Sequence, residues 1–586
     1  MIKNYLKQIL ANLFIFSFLF TSCVNQDYDL NKDIDLTFHV GGNGLALPIG
    51  NTDYIKLSKI IKADESDVLH LNGGEYSLLK EDVADPVIVN VPGTSPINIA
   101  PITLETPNLY SVAGWLTRAT RADVGFDLTV PSTTNVFSLS HQGIPVEVKT
   151  IKSITTQSGG VDATIDLTLS GVTSAVSYEF KNLELAFPDF IVSPQLTNHK
   201  LILNGTLNQG LTKVVRINIT SFDFSNEAGG ALAINDGTLQ LNKSVTFLGK
   251  ITASGLSAST VTGDVKLNAT LQVSPTVISE IEGKVNPSIN VKIDPISLDI
   301  PEFLKDEAVT MDVENPMIRL NVTNELNIPI IIKGELKGYR NENLLPESPV
   351  TIEGTTDNPI KIDANGKTAI YLSKTGQGGP AGSKQYAIAN LNNIVEKIPD
   401  QIRFTMNATA DQSSMHKIRL GKNYNVGIDY AVEVPLKFGP GLSIVYNDTI
   451  DGFNDDIKDL DVKSLTVTTA VENNIPLNLQ LQATPVGIDK KAIAGIKVNV
   501  TGEKENTSGI IQSCDNKGNM QTTSLIIELT ETTTGAIKNL DGLLLKVTAK
   551  SSETVNGMPL KEDQYIRLKN IRVKATEGMD VNLNDK

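Results

Sequence analysis

Residues 265–273 read VKLNATLQV. Apolar side chains stand at every second position, and polar side chains stand between them. Successive side chains of a β-strand point to opposite faces of the sheet, so this period of two predicts a strand with one buried and one wet face. Residues 161–169, which read VDATIDLTL, repeat the pattern.

The same alternation dominates the chain on both sides of this stretch. Turn-forming pairs such as Asn72-Gly73 and Asp236-Gly237 punctuate it. Helical spacing of apolar residues occurs only briefly, at residues 54–61 and 386–398. We therefore predict an all-β fold, made of tandem antiparallel β-sandwich-like domains with a few short helices.

Two segments of the second half resemble each other. The run 318–320 leads to NIPIII at 327–332, and 147 positions later 465–467 leads to NIPLNL at 474–479. Order and spacing continue with small gaps in three further pairs of runs: 369–372 with 525–529, 402–406 with 543–547, and 418–420 with 566–568. This correspondence predicts an internal duplication. The pattern of strand, Asn-apolar-Pro and strand also resembles the LEA-2 type of β-sandwich, which implies one sandwich for each copy.

These patterns, with the proline-rich stretch near residues 286–301, divide the chain into seven parts. We predict a signal peptide (1–22), an acidic tether (23–40), an N-terminal β-rich region (41–140), an all-β domain (141–305), β-sandwich repeat 1 (306–440), an acidic linker (441–461) and β-sandwich repeat 2 (462–586).

The N-terminus has the pattern of an export signal. Lys3 and Lys7 precede an apolar run of about twelve residues, where roughly twenty are needed to span a bilayer. The run ends in LFTSC at Cys23, which resembles the lipobox of bacterial lipoproteins, although Ser22 stands where glycine or alanine is usual. The resemblance implies cleavage before Cys23 and acylation of its thiol, which gives stable anchoring when two or more chains are attached. The alternative is an ordinary secretory peptide.

The residues after Cys23 point to a location. Asp27 and Asp29 resemble the acidic export signal of Bacteroidota surface lipoproteins, and the segments 45–50 and 69–76 resemble the start of many lipoproteins of that group. The resemblance implies an outer-membrane protein exposed at the cell surface. The alternative interpretation of these acidic residues is a solvated tether.

Composition excludes some classes of partner. The formal net charge of -15 disfavours nucleic acid and anionic lipid surfaces. Acylation of Cys23 would leave Cys514 as the other cysteine, so we expect no intramolecular disulfide. Beyond the N-terminal run, the sequence contains no apolar run long enough to form a transmembrane helix.

No catalytic, nucleotide or cofactor motif is indicated. The five histidines are scattered, and the glycine-rich run 376–384 places serine before lysine, the reverse of a phosphate-binding loop. Two features are weak candidates for binding. Trp115 could stack on a sugar ring, and an acidic cluster could supply oxygen ligands for Ca²⁺ through Asp451, Asp455, Asp456 and Asp459. The alternative for the cluster is a solvated linker.

We therefore expect a non-enzymatic interaction protein without a cofactor, held to a membrane by its N-terminal lipid and presenting tandem β-domains to a protein or polymer partner. One alternative is a glycan-binding accessory protein of polysaccharide uptake. Another is a carrier of lipid or another apolar ligand.

Overall fold

The structure is a computed structural model that describes residues 37–40, 46–63, 67–110, 125–157, 159–207, 212–298, 304, 306–454, 460–503, 506–575 and 577–582. Up to residue 110 the strands are β1 Thr37–Val40, β2 Ala46–Gly50, β3 Ile55–Lys56, β4 Leu69–Asn72, β5 Glu75–Val83, β6 Val87–Val91 and β7 Ile102–Glu105. Between residues 125 and 298 they are β8 Phe126–Gln142, β9 Val148–Thr155, β10 Val161–Val172, β11 Ser177–Ala186, β12 Ile191–Val192, β13 Lys200–Leu207, β14 Thr212–Ile219, β15 Ser221–Asp223, β16 Leu232–Ala233, β17 Thr238–Ser254, β18 Val261–Val273, β19 Glu280–Val285 and β20 Ile296–Ser297.

The second half continues in the same way. Residues 306–454 contain β21 Met317–Asn324, β22 Ile330–Arg340, β23 Asn343–Leu344, β24 Val350–Ile352, β25 Lys361–Ile362, β26 Gly366–Ser373, β27 Lys384–Ala387, β28 Gln401–Ala410, β29 His416–Arg419, β30 Lys422–Pro435 and β31 Ser443–Asp451. Residues 460–582 contain β32 Leu460–Val462, β33 Ser464–Asn473, β34 Asn478–Val486, β35 Ile496–Gly502, β36 Ile510–Ile511, β37 Gln521–Glu531, β38 Gly542–Lys550, β39 Tyr565–Ala575 and β40 Met579–Asn582.

The all-β prediction is confirmed. In the described residues, the α-helices are α1 Leu57–Ile60 and α2 Asn393–Glu396, and 3-10 turns lie at Ala228–Gly230, Ile537–Asn539 and Glu553–Val555. Both predicted helical segments therefore contain one turn of α-helix, while Tyr386 lies in β27 instead. No helix in the described part of the chain is long and apolar enough to cross a membrane.

The stretch 265–273 lies in β18, as its pattern predicts. β18 pairs with β10, and Leu271 lies opposite Ile165 in the register. The apolar positions of both strands are buried while the polar ones between them are mostly partly exposed. Two four-stranded sheets, β14-β10-β18-β7 and β13-β11-β17-β8, and the sheet β12-β15-β9-β19-β29 form what we call the first unit.

The remaining described strands form two further pairs of sheets and one small sheet. The second unit contains β27-β26-β21-β30-β5-β4, with β6 also on β30, and β20-β28-β22-β23, with β24 and β25 on β22. The third unit contains β2-β39-β33-β37-β35 and β31-β38-β34-β36. β1, β40 and β32 form a small separate sheet. All these pairings are antiparallel except that of β26 with β27.

The strands of residues 41–140 do not form a sheet of their own. β2 pairs with β39 of the third unit, β5 and β6 pair with β30 of the second, and β7 and β8 belong to the first. The predicted domain boundaries around this region therefore do not coincide with the division of the strands into sheets. A strand can pair with the free edge of any sheet that lies next to it in space, and not only with its neighbours in sequence.

The predicted acidic linker, 441–461, also contains a strand. β31 pairs along its whole length with β38, from Ser443 opposite Lys550 to Asp451 opposite Gly542. Most of its polar side chains are exposed, which explains why the segment resembles a linker although it is an edge strand.

The two copies of the predicted repeat share strand pairings, but the copies align two residues away from the predicted offset. Ile330 pairs with Ile362, and Leu479 pairs with Ile511. Equivalent residues are thus 149 positions apart here, not 147. The difference of two preserves the alternation of faces, which is why the sequence pattern alone does not detect it.

One proposed correspondence is wrong. Asn324 pairs with Val426 in β30, and Asn473 pairs with Ile566 in β39. Ile566 therefore corresponds to Val426 and not to Ile418, which lies in β29 and pairs with the first unit. The shared pairings support a duplication, which stays a prediction.

Candidate binding groove between the first and second units

Most residues that the sequence singles out cannot be placed. Cys23, Trp115, Asp455, Asp456 and Asp459 lie outside the described residues. Acylation at Cys23 and ligand binding at Trp115 therefore remain predictions.

Asp451 lies at the end of β31 and is paired with a cation of the chain itself. Its Oδ2 lies 2.6 Å from Nζ of Lys490, which also lies 3.4 Å from Oδ2 of Asp541. The hydrogen bond with Asp451 is the main cause of the raised pKa of Lys490. The described residues contain no group of three or more His, Cys, Asp or Glu side chains arranged to hold a metal ion. The ammonium group of Lys490 therefore occupies the position beside the Asp451 carboxylate that a Ca²⁺ ion would take.

Ser414 lies in the bend after β28, beside His416 at the start of β29, yet the hydrogen bonds of the described residues supply no carboxylate as the third member of a catalytic triad. Oγ of Ser414 is 3.0 Å from Nε2 of His416. The neighbouring Asp411 instead binds Nζ of Lys361 at 2.6 Å and accepts the backbone N–H of Ser413. Because a triad needs its carboxylate to orient the histidine ring, this arrangement does not reproduce one.

A small apolar cavity of about 40 Å³ lies in the second unit, lined by residues that include Leu78, Val395, Ile402 and Val434. An apolar cavity that holds benzene measures about 150 Å³. This cavity is therefore too small for an acyl chain, and it gives the lipid-carrier alternative no support.

A larger groove opens where the first and second units meet, with a volume of about 490 Å³. Binding sites for small ligands typically measure about 300–1,000 Å³. It is lined by three separate parts of the chain, namely Asp85, Pro86, Val87, Ile88, Asn90 and Pro92, then Glu147, and then Ser288, Asn290 and Lys292.

One wall of the groove is β6, an edge strand. Its sequence, VIVNV, alternates buried Val89 and Val91 with exposed Ile88 and Asn90, and the side chain of Ile88 is 65% exposed. Nδ2 of Asn90 donates to Oδ1 of Asn423 at 2.7 Å, which fixes this wall to β30.

The opposite wall is the connection from β19 to β20. Ile289 forms a bridge with Ala408 of β28, and its own side chain is buried. The alternate residues Ser288, Asn290 and Lys292 are exposed and line the groove. Nε2 of Gln412 donates to the carbonyl of Val285 at 2.8 Å at the start of the connection, and Ile296 pairs with Ile402 of β28 at its end. The connection is therefore tied to the second unit from both ends.

The groove carries more negative than positive charge. Asp85 and Glu147 line it together with Lys292. A cationic or neutral polar ligand therefore fits this groove better than an anionic one.

Sequence reasoning missed every residue of the groove. The signals were the prolines at 86 and 92 around a five-residue strand, and the alternation of Ser288, Asn290 and Lys292 with apolar residues inside the proline-rich stretch 286–301. Neither signal shows that the two segments, about 200 positions apart, meet in space.

Comparisons with known proteins add little to this geometry. No protein-family model matches the chain, and no curated protein matches it. Among solved structures, a "putative secreted protein" from Parabacteroides distasonis covers 50% of this chain and 82% of its own, with 15% identity and a TM-score of 0.34. A structure of Sulfolobus turreted icosahedral virus covers 76% of this chain and 92% of its own, with 9% identity and a TM-score of 0.10. At these TM-scores the likenesses carry no argument about fold or function.

Proposed function

We propose that this chain is a lipid-anchored protein of the bacterial cell envelope, exposed at the surface, that binds a protein or polymer partner and catalyses no reaction. The groove between the first and second units carries the proposal. It has the volume of a small-ligand site, and exposed polar side chains on its two walls line it together with Pro86, Val87, Ile88 and Pro92. The lipobox that ends at Cys23 supports the anchor.

The partner can be sought in intact cells. Full-length protein would be captured after surface cross-linking, alongside a groove variant that combines Asn90→Ala and Asn290→Ala. A control variant, Asn321→Ala, changes an exposed asparagine on β21 outside the groove lining. We expect a reproducible partner that is lost with the groove variant and kept with the control. Equal recovery with all three proteins would contradict binding through this groove.

The anchor has its own test. With Cys23→Ala, the protein should leave the detergent phase in a phase-partition assay, while its thermal unfolding stays unchanged. Cys514, the other cysteine of the sequence, is buried and free in the structure. Retention of the variant in the detergent phase would contradict lipid anchoring.

A glycan is the second candidate partner, because amide, hydroxyl and carboxylate groups line the groove at Asn90, Asn290, Ser288 and Asp85. Such groups hydrogen-bond readily to sugar hydroxyls. Calorimetric screening of envelope and host polysaccharides would test it. A response that Asn290→Ala abolishes favours this candidate, and no heat with any polysaccharide removes it.

A further inference from the structure

We propose that the groove receives an extended peptide rich in lysine or arginine, which adds as a strand to the outer edge of β6. This inference rests on the proposed binding function and names its partner class.

The edge of β6 supplies unused backbone groups. Among the described residues β30 is the sheet partner of β6. The carbonyl of Val91 accepts the N–H of Gly421, so the backbone of Val91 faces β30. Because backbone groups alternate in direction along an antiparallel strand, those of Asn90 and Ile88 face the groove. An added strand gains affinity from such main-chain groups and specificity from alternate side chains.

The length of the edge limits what can add to it. Pro86 and Pro92 stand on either side of the five residues of β6. Proline has no N–H to donate to a ladder, so pairing ends at both sites. A segment of about five residues, at about 3.3 Å each, fits the edge.

The opposite wall of the groove can contact the side of the added peptide that faces away from β6. Ser288, Asn290 and Lys292 present polar side chains at the alternating spacing of an extended chain. A peptide lying between this wall and β6 therefore meets main-chain groups on one side and hydroxyl and amide groups on the other.

The charge of the groove selects the peptide. The lining contains two carboxylates, Asp85 and Glu147, and one ammonium group, Lys292. Positive side chains at alternate positions would face these carboxylates, whereas negative ones would be repelled.

The test uses full-length protein and capped ten-residue peptides, with binding read by fluorescence anisotropy at low and at high salt. One peptide alternates lysine with valine, a second alternates glutamate with valine, and a third is the lysine peptide with N-methyl groups on alternate amides. We expect binding of the lysine peptide that weakens with salt. Binding of the glutamate and N-methyl peptides should be at least about tenfold weaker, because they add repulsion or remove main-chain donors.

Two variants at one position separate backbone from side chain. Ile88→Pro removes an outward N–H, which an edge strand tolerates, and should weaken binding of the lysine peptide about tenfold. Ile88→Ala keeps that N–H and should weaken it less than about threefold. Thermal unfolding of both variants checks that each is folded. If Ile88→Pro destabilises the protein, the N-methyl peptide on the unaltered protein decides.

Equal affinity for the lysine and N-methyl peptides, or tighter binding of the glutamate peptide, would overturn the inference. Failure of all peptides overturns it as well. In that case the capture experiment in intact cells tests the proposed function independently. The proposed function stands if a partner is captured by the unaltered protein and not by the groove variant. A polysaccharide that binds and is displaced by no peptide would also replace this inference with the glycan candidate.

Discussion

Asn324 and Asn473 make the same three hydrogen bonds with partners at the same sequence separations. In each case Nδ2 donates to the carbonyl four residues on, at 3.0 Å, and to the carbonyl 39 residues on, at 2.9 Å. In each case Oδ1 accepts the N–H two residues on, at 3.0 Å for Asn324 and 2.9 Å for Asn473. Both side chains are buried. Each asparagine thus joins the end of one strand to the turn after it and to a distant edge segment.

The first prediction concerns these two asparagines. Asn324→Ala and Asn473→Ala should each lower the free energy of unfolding by about 2–4 kcal/mol, because each leaves buried backbone groups without partners. Urea unfolding at neutral pH measures this.

Asn321→Ala is the matched control, since Asn321 is exposed on the same strand as Asn324. Its effect should stay within about 0.5 kcal/mol. A loss as large as that of Asn324→Ala would show that the buried hydrogen bonds are not the cause.

The fold class could be predicted from the sequence because the alternation of apolar and polar residues within each strand shows which of its faces is buried. Residues 161–169 and 265–273 show this, since both are strands and pair with each other. The partner of a strand is not encoded in this way. Asn51 accepts the N–H of Asn570 across 519 positions, and nothing in the local pattern around either residue indicates the contact.

The candidate site could not be predicted from the sequence, because it also depends on which strands pair. Asp85, Glu147 and Asn290 come together only because β6 pairs with β30 and the 286–295 connection follows β28. Each residue alone is an ordinary exposed polar group. The offset between the two repeat copies is hidden in the same way, because a shift of two residues in their alignment keeps every side chain on the same face of its strand.

The second prediction concerns Asp411, whose side chain is buried. Burial by itself would raise the pKa of its carboxyl, but hydrogen bonds from Lys361 and Ser413 outweigh it and lower the pKa to about 2. A folded pKa below the unfolded value stabilises the protein above about pH 4, and this contribution is lost as the pH falls through 2.

Asp411→Asn should therefore cost about 2 kcal/mol at pH 7, and the difference from the unaltered protein should shrink to about half at pH 3. Urea unfolding at the two pH values measures it. Asp363→Asn provides the comparison, because the exposed Asp363 also binds a lysine, Lys384, and exposed pairs contribute about 1 kcal/mol or less. A pH-independent effect of Asp411→Asn would contradict the assignment.

The third prediction concerns His141, on β8. Its side chain is buried, its Nε2 has no hydrogen-bond partner among the described residues, and burial lowers its pKa. The folded protein favours the neutral ring of His141. The free energy of unfolding is therefore highest above about pH 6.5, and it falls at lower pH because protonation of the ring favours the unfolded chain.

The midpoint of thermal unfolding should decrease from pH 7.5 to pH 5.5, and His141→Leu should reduce that decrease. Gln142→Leu, at the exposed neighbouring position of β8, should leave it unchanged. If both variants showed the full decrease of the unaltered protein, protonation of His141 would not be its source.

The groove is the surface through which we propose that the protein meets its partner. Site-specific photo-cross-linking in intact cells tests this most directly, with the photoreactive residue placed at Ile88 in the groove or at Leu544, which is 43% exposed on β38 of the third unit. We expect a discrete cross-linked species from position 88, lost when Asn290→Ala is added, and none from position 544. Cross-linking that is absent at position 88, or equal at the two positions, would contradict the account.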